Sequence, residues 1–171
     1  MERSVIEIVS SVTPGVAPLR ADVPAGGLAA VFERGAVLQD RNGDDQIDFV
    51  DTRIVVPDAP TPEDIAAAAA VAARLGMETS GLTLPLVFRA ADAPADARGT
   101  AFVIGRANRR VPAGLQARLD ALDPGQGLVV HTPGVIVIAG RDAAGTQAAA
   151  EGYAARSPYL WNVIGRVNGE T

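Results

Sequence analysis

Residues Val135-Ile136-Val137-Ile138-Ala139 are apolar at every position, so this segment, if extended, must be covered on both faces. It reads as a central strand. A second apolar run, Gly127-Leu128-Val129-Val130-His131, precedes it across a turn at Thr132-Pro133-Gly134. Beyond it, Gly140-Arg141-Asp142 opens a helix with Asp142 as N-cap, continuing through Ala149 to about Arg156 and stopped by Pro158. A strand hidden on both sides requires layers on both sides, which limits the fold to a few layered architectures.

The remaining chain supplies those layers. Thr61-Pro62-Glu63-Asp64 is a helix start, with Thr61 as N-cap, Pro62 in the first helical position and acids in the first turn. The helix runs to Leu75 with Gly76 as C-cap, and Ile65, Ala68, Ala69, Ala72 and Leu75 form its expected core stripe. Strands are expected over Ser4 to Val12, Val50 to Val56, Leu82 to Phe88 and Ala101 to Ile104, and a short helix over Pro112 to Leu122. Pro85 inside the third of these marks an edge or a bulge. Thr13 to Gly27 and Ala90 to Thr100 read as loops. The expectation is an α/β or α+β fold: one two- or three-layer domain over residues 1–171, with a mixed sheet and two to three helices.

The chemistry is concentrated in Asp40-Arg41-Asn42-Gly43-Asp44-Asp45-Gln46-Ile47-Asp48-Phe49-Val50-Asp51. Oxygen-bearing side chains stand at positions 1, 3, 5, 9 and 12 of this stretch, and Ile47 at position 8 is apolar. Calcium takes six to eight oxygens, and a twelve-residue loop with this alternation can wrap one ion. The ligands would be Asp40, Asn42, Asp44, Asp48 and Asp51 through side chains and Gln46 through its backbone carbonyl. The spacing resembles the calcium loop of the EF-hand and dockerin families. It departs from them at Asp45, where the sharp turn of position 6 favours Gly, and a true EF-hand has a helix on each side. The metal-free alternative is an acidic surface turn, but five acids within twelve residues repel one another without evident benefit.

Composition removes several function classes. Net charge is −5, and the 15 basic residues are all Arg and scattered, with only Arg109-Arg110 adjacent, which argues against nucleic acid. No apolar run approaches the 20 residues of a membrane span. With no cysteine, disulfides, thiol catalysis and zinc-thiolate sites are all excluded. The opening Met1-Glu2-Arg3-Ser4 lacks a signal-peptide pattern. Calcium at such a loop nevertheless suits an extracellular or periplasmic setting, where the ion is abundant.

From Gly127 to Arg156 the sequence resembles the end of the small non-catalytic α/β domain that precedes the barrel in hexosaminidases and α-glucuronidases. The matching features are Gly127, Val129, Ile136, Ile138, Gly140, Asp142 and Gly145. Periplasmic cellulose synthase regulatory subunits carry a similar pattern. The resemblance implies an accessory module of a larger secreted bacterial protein and carries no catalytic residue with it.

Other sites are weighed against simpler roles. His131 is the one histidine, at a strand end where solvent exposure is the ordinary expectation, and no G-x-S-x-G elbow accompanies it. A carboxylate pair could serve glycosidase chemistry, but Glu63, Asp64, Asp120, Asp123 and Glu151 sit where capping and solvation explain them. The Arg106 to Arg110 loop could hold an anion, and Tyr159 with Trp161 could stack on a sugar ring. Taken together, the sequence reads as a non-catalytic, calcium-stabilised accessory module with a neighbouring domain or protein as partner. A carbohydrate- or peptide-binding module using Tyr159, Trp161 and the Arg106–Arg110 loop is the alternative, and a hydrolase is third.

Overall fold

The computed structural model describes residues 8–10, 37–40, 42–45, 49–77, 79, 81–94, 100–132 and 134–155. The fold is α/β, built on a mixed sheet. Its elements run β1 (Ile8–Ser10), β2 (Leu38–Gln39), β3 (Phe49–Val50), β4 (Arg53–Val56), α1 (Pro62–Met77), β5 (Gly81–Leu82), β6 (Val87–Arg89) and β7 (Ala101–Ile104). A 3-10 turn at Ala113–Leu115 leads into α2 (Gln116–Asp120), followed by β8 (Gly127–Thr132), β9 (Val135–Gly140) and α3 (Ala143–Ala155).

Six strands form the main sheet in the order β1-β8-β9-β7-β4-β6. All neighbours are parallel except β8 and β9, which form the antiparallel hairpin expected from their short turn. The doubly apolar strand β9 lies inside the sheet, as its composition requires. Alternation along the strands sorts the core into two layers. Ile54, Val56, Phe102, Ile104, Val129, Ile136 and Ile138 face α1 and α3, which lie side by side. Val55, Val103, Leu128, Val130, Val137 and Ala139 face Val111, Leu115 of the 3-10 turn and Leu119 of α2. Helical segments thus cover both faces.

A second sheet, β2-β3-β5, holds Val37, Leu38 and Val50 against the α1 side of the core. The expected strand Val50 to Val56 is therefore two strands in two sheets, with Asp51-Thr52 as the joint. Leu82 to Phe88 divides the same way: Leu82 ends β5 in the small sheet, and Val87 starts β6 on the edge of the large one. Pro85 falls between them, where no ladder hydrogen bond is needed from it. Of the expected first strand, Ile8–Ser10 is described and pairs with β8.

Helix α1 starts as its sequence predicts. Thr61 Oγ1 accepts from the Asp64 amide at 3.1 Å, and Asp64 Oδ2 accepts from the Thr61 amide at 3.0 Å, a reciprocal capping box. Two expectations fail here. Gly76 is helical rather than a C-cap, because the helix continues to Met77. The buried face is Asp64, Ala67, Ala68, Val71, Arg74 and Leu75, whereas Ile65 is 49 % exposed. Runs of alanine carry almost no directional signal, so the larger Val71 and Leu75, together with the inward-turned cap Asp64, set the rotation.

Candidate functional site

The acidic stretch is the loop of the β2–β3 hairpin. Leu38 pairs with Val50 and Gln39 with Phe49, and the Asp51 amide donates to the Val37 carbonyl at 2.9 Å. Strands flank the loop, where an EF-hand loop has a helix on each side. Asp40 stands just past the last pair, at the loop mouth. Its Oδ1 accepts from the Gly43 amide at 2.7 Å and its Oδ2 from the Asp45 amide at 3.1 Å. Asn42 Nδ2 donates to Asp44 Oδ2 at 2.9 Å, and Asn42 Oδ1 accepts from the Asp44 amide at 3.3 Å. Asp45 has φ 64°, the left-handed geometry that position 6 demands and that Asp adopts at lower cost than most residues.

The structure brings Asp40, Asn42 and Asp44 together through the Asn42–Asp44 bond and the amides that Asp40 gathers. Asp51 lies opposite Val37, three residues along the strand from Asp40, which is about 10 Å at the rise of an extended chain. Gln46 and Asp48 lie outside the described residues. Among the described residues, no three Asp, Glu or His side chains gather at one point.

Arg106, Asn108 and Arg110 of the Arg106 to Arg110 loop help to hold the fold. Arg106 pairs with Asp120 at 2.7 Å and donates to the Arg141 carbonyl at 2.6 Å. Arg110 Nη2 donates to the Ala93 carbonyl at 2.8 Å. Buried Asn108 donates to the Val55 and Ile104 carbonyls at 2.9 and 3.2 Å, tying the turn to two strands. Arg109 reaches Asp58 at 3.6 Å and stays largely exposed. Sequence reading had no means of seeing these assignments, because each partner lies more than ten residues away or on the backbone.

The Gly140-Arg141-Asp142-x-x-Gly145 pattern is also structural. Asp142 caps α3 as expected: Oδ1 accepts from the Gly145 amide at 2.8 Å, while Oδ2 accepts from the Gly125 amide at 2.9 Å. These two bonds, led by Gly145, hold its carboxyl below the usual range. A side chain at Gly140 would overlap the Thr146 amide, and one at Gly145 would overlap Gln126. The helix start is therefore pressed against the β8–β9 hairpin, with the Gly145 and Thr146 amides already occupied. Arg141 Nη1 completes the junction by donating to the Leu122 carbonyl beyond α2 at 2.7 Å.

His131 overturns the expectation of an exposed strand end. It is only 5 % exposed, and its Nε2 has no hydrogen-bond partner among the described residues. It lies opposite Ser10 in the β1–β8 register and Ile136 in β9. Burial lowers its pKa, so the neutral ring is favoured. Tyr159 and Trp161 lie outside the described residues. No helix among the described residues is long and apolar enough to cross a membrane. Neither a family model nor a curated protein sequence matches this chain.

Proposed function

We propose that this chain is a non-catalytic α/β accessory module of a larger extracytoplasmic protein, stabilised by calcium at the β2–β3 hairpin loop. One observation carries the reading: the Asp40 carboxylate gathers the Gly43 and Asp45 amides while Asp45 adopts the left-handed turn that a calcium loop places at position 6. The ligands are Asp40, Asn42, Asp44, the Gln46 carbonyl and Asp48, with water in place of Asp51. The engagement of Arg106, Arg110 and Asn108 in the fold and the burial of His131 favour a scaffolding role over catalysis. The partner is a neighbouring domain, which such a rigid layered unit would position.

Calcium bound only by the folded state stabilises it by RT ln(1 + [Ca]/Kd), roughly 4 kcal/mol for a micromolar site in millimolar ion. Melting in calcium against chelator measures this directly. A rise in melting temperature that Asp40→Ala abolishes supports the reading, and equal melting temperatures for the unaltered chain reject it.

A further inference from the structure

From Ile65 to Ala73 every residue of α1 is Ile, Ala or Val. Its charged groups are placed at the ends: Asp64 closes the capping box, and Arg74 is buried and donates to the Ala154 carbonyl at 3.5 Å. The outward stripe of Ile65, Ala69, Ala73, Gly76 and Met77 consequently offers no charge and no hydrogen-bonding side chain. Ile65 is 49 % and Met77 82 % exposed. A surface helix ordinarily turns a polar face to water, and one that is apolar all round belongs in an interior. This stripe has the composition of a covered face.

The chain itself carries a fitting cover. Arg74 on the last turns of α1 touches Ala154 near the end of α3, so the chain leaves α3 beside α1. The next residues, outside the described set, include Tyr159-Leu160-Trp161 followed by Val163 and Ile164, the densest aromatic and aliphatic cluster in a chain with 4 % aromatics. Residues 156–158 can bridge about 10 Å, comparable to the width of a helix, and six extended residues span roughly 20 Å. Helix α1, with 16 residues, is about 24 Å long. We propose that residues 159–164 cover the outer stripe of α1, with Trp161 seated among Ile65, Ala69 and Ala73. The small alanines give a bulky ring room to approach the helix. This assignment does not depend on calcium.

The sole tryptophan makes the test direct. In the full chain, Trp161 emission should be blue-shifted from that of the denatured chain and protected from acrylamide. Ala69→Glu and Ala73→Glu keep good helix formers at exposed positions, so far-UV circular dichroism should be unchanged. Each should move Trp161 emission towards the denatured value, independently of protein concentration. Ala117→Glu, exposed on α2 across the sheet, should leave it in place. The proposal is overturned by wild-type emission already at the denatured value. It is overturned equally if either folded α1 variant leaves the emission unmoved, if Ala117→Glu shifts it as much, or if dilution alone shifts it, which would identify a second copy as the cover.

Discussion

The Gly140 amide donates to Thr146 Oγ1 at 2.9 Å, and that hydroxyl in turn donates to the Asp142 carbonyl at 3.2 Å. Strand β9 and helix α3 are thereby joined through one fully buried threonine.

Gly140→Ala should break this junction, since the added methyl overlaps the Thr146 amide, which belongs to the backbone and cannot swing aside. Overpacking of this kind costs about 2–3 kcal/mol. Urea denaturation should show that loss with an unchanged slope. A cost below about 0.5 kcal/mol would mean that α3 can slide away from the hairpin.

Asp142→Asn should cost about 1–2 kcal/mol at neutral pH, because one of the two accepting oxygens becomes an NH2 group that faces a backbone amide. The folded carboxyl titrates below its ordinary 3.8 because the Gly145 and Gly125 amides bond the charged form. Its contribution is therefore present above the unfolded pKa and lost as pH falls through the folded one. Stability curves of the two proteins, wide apart at neutral pH, should converge in strong acid. Parallel curves would assign the titration to another group.

His131 acts in the opposite chemical sense and in a different window. Burial favours its neutral ring, so the folded pKa lies below the ordinary 6.5. The stability tied to this residue is complete above that value. It declines as pH drops from there towards the folded pKa, because the unfolded chain binds a proton that the folded chain resists. His131→Phe should flatten the melting temperature over mildly acidic pH. An undiminished slope in that variant would rule His131 out as its source.

Within the hairpin loop, Asp45→Gly should stabilise the metal-free chain by about 1 kcal/mol, because glycine occupies φ 64° without the penalty of a side chain. The calcium increment in melting temperature should survive Asp51→Ala and vanish in Asp44→Ala. Loss of the increment in both variants would return Asp51 to the ligand set and require the hairpin to bend when the ion binds.

The layered fold was legible because β9, Asp142 and the Thr61-Pro62 helix start each state their role locally, in apolar runs and caps. What escaped sequence reading was relational. The alanines of α1 gave no orientation, so its buried face was assigned through Ile65 and not Val71. The segment Val50 to Val56 read as one strand because nothing in its β-branched residues marks a change of sheet at Asp51-Thr52. His131 read as exposed because its burial depends on the neighbours of β8 rather than on its own position. In the acidic loop, the ligand spacing was visible, whereas the pairing of Asp51 opposite Val37 across the hairpin was not.

The reversed direction of β8 has a consequence for assembly in time. Strand β1 lies parallel to β8, more than a hundred residues away in sequence, and β8 takes its place through its hairpin with β9. The first described strand therefore gains its partner in the main sheet only once β8, more than a hundred residues later, has been synthesised. Its docking should close the fold as a late step, with a rate set by chain length as much as by affinity.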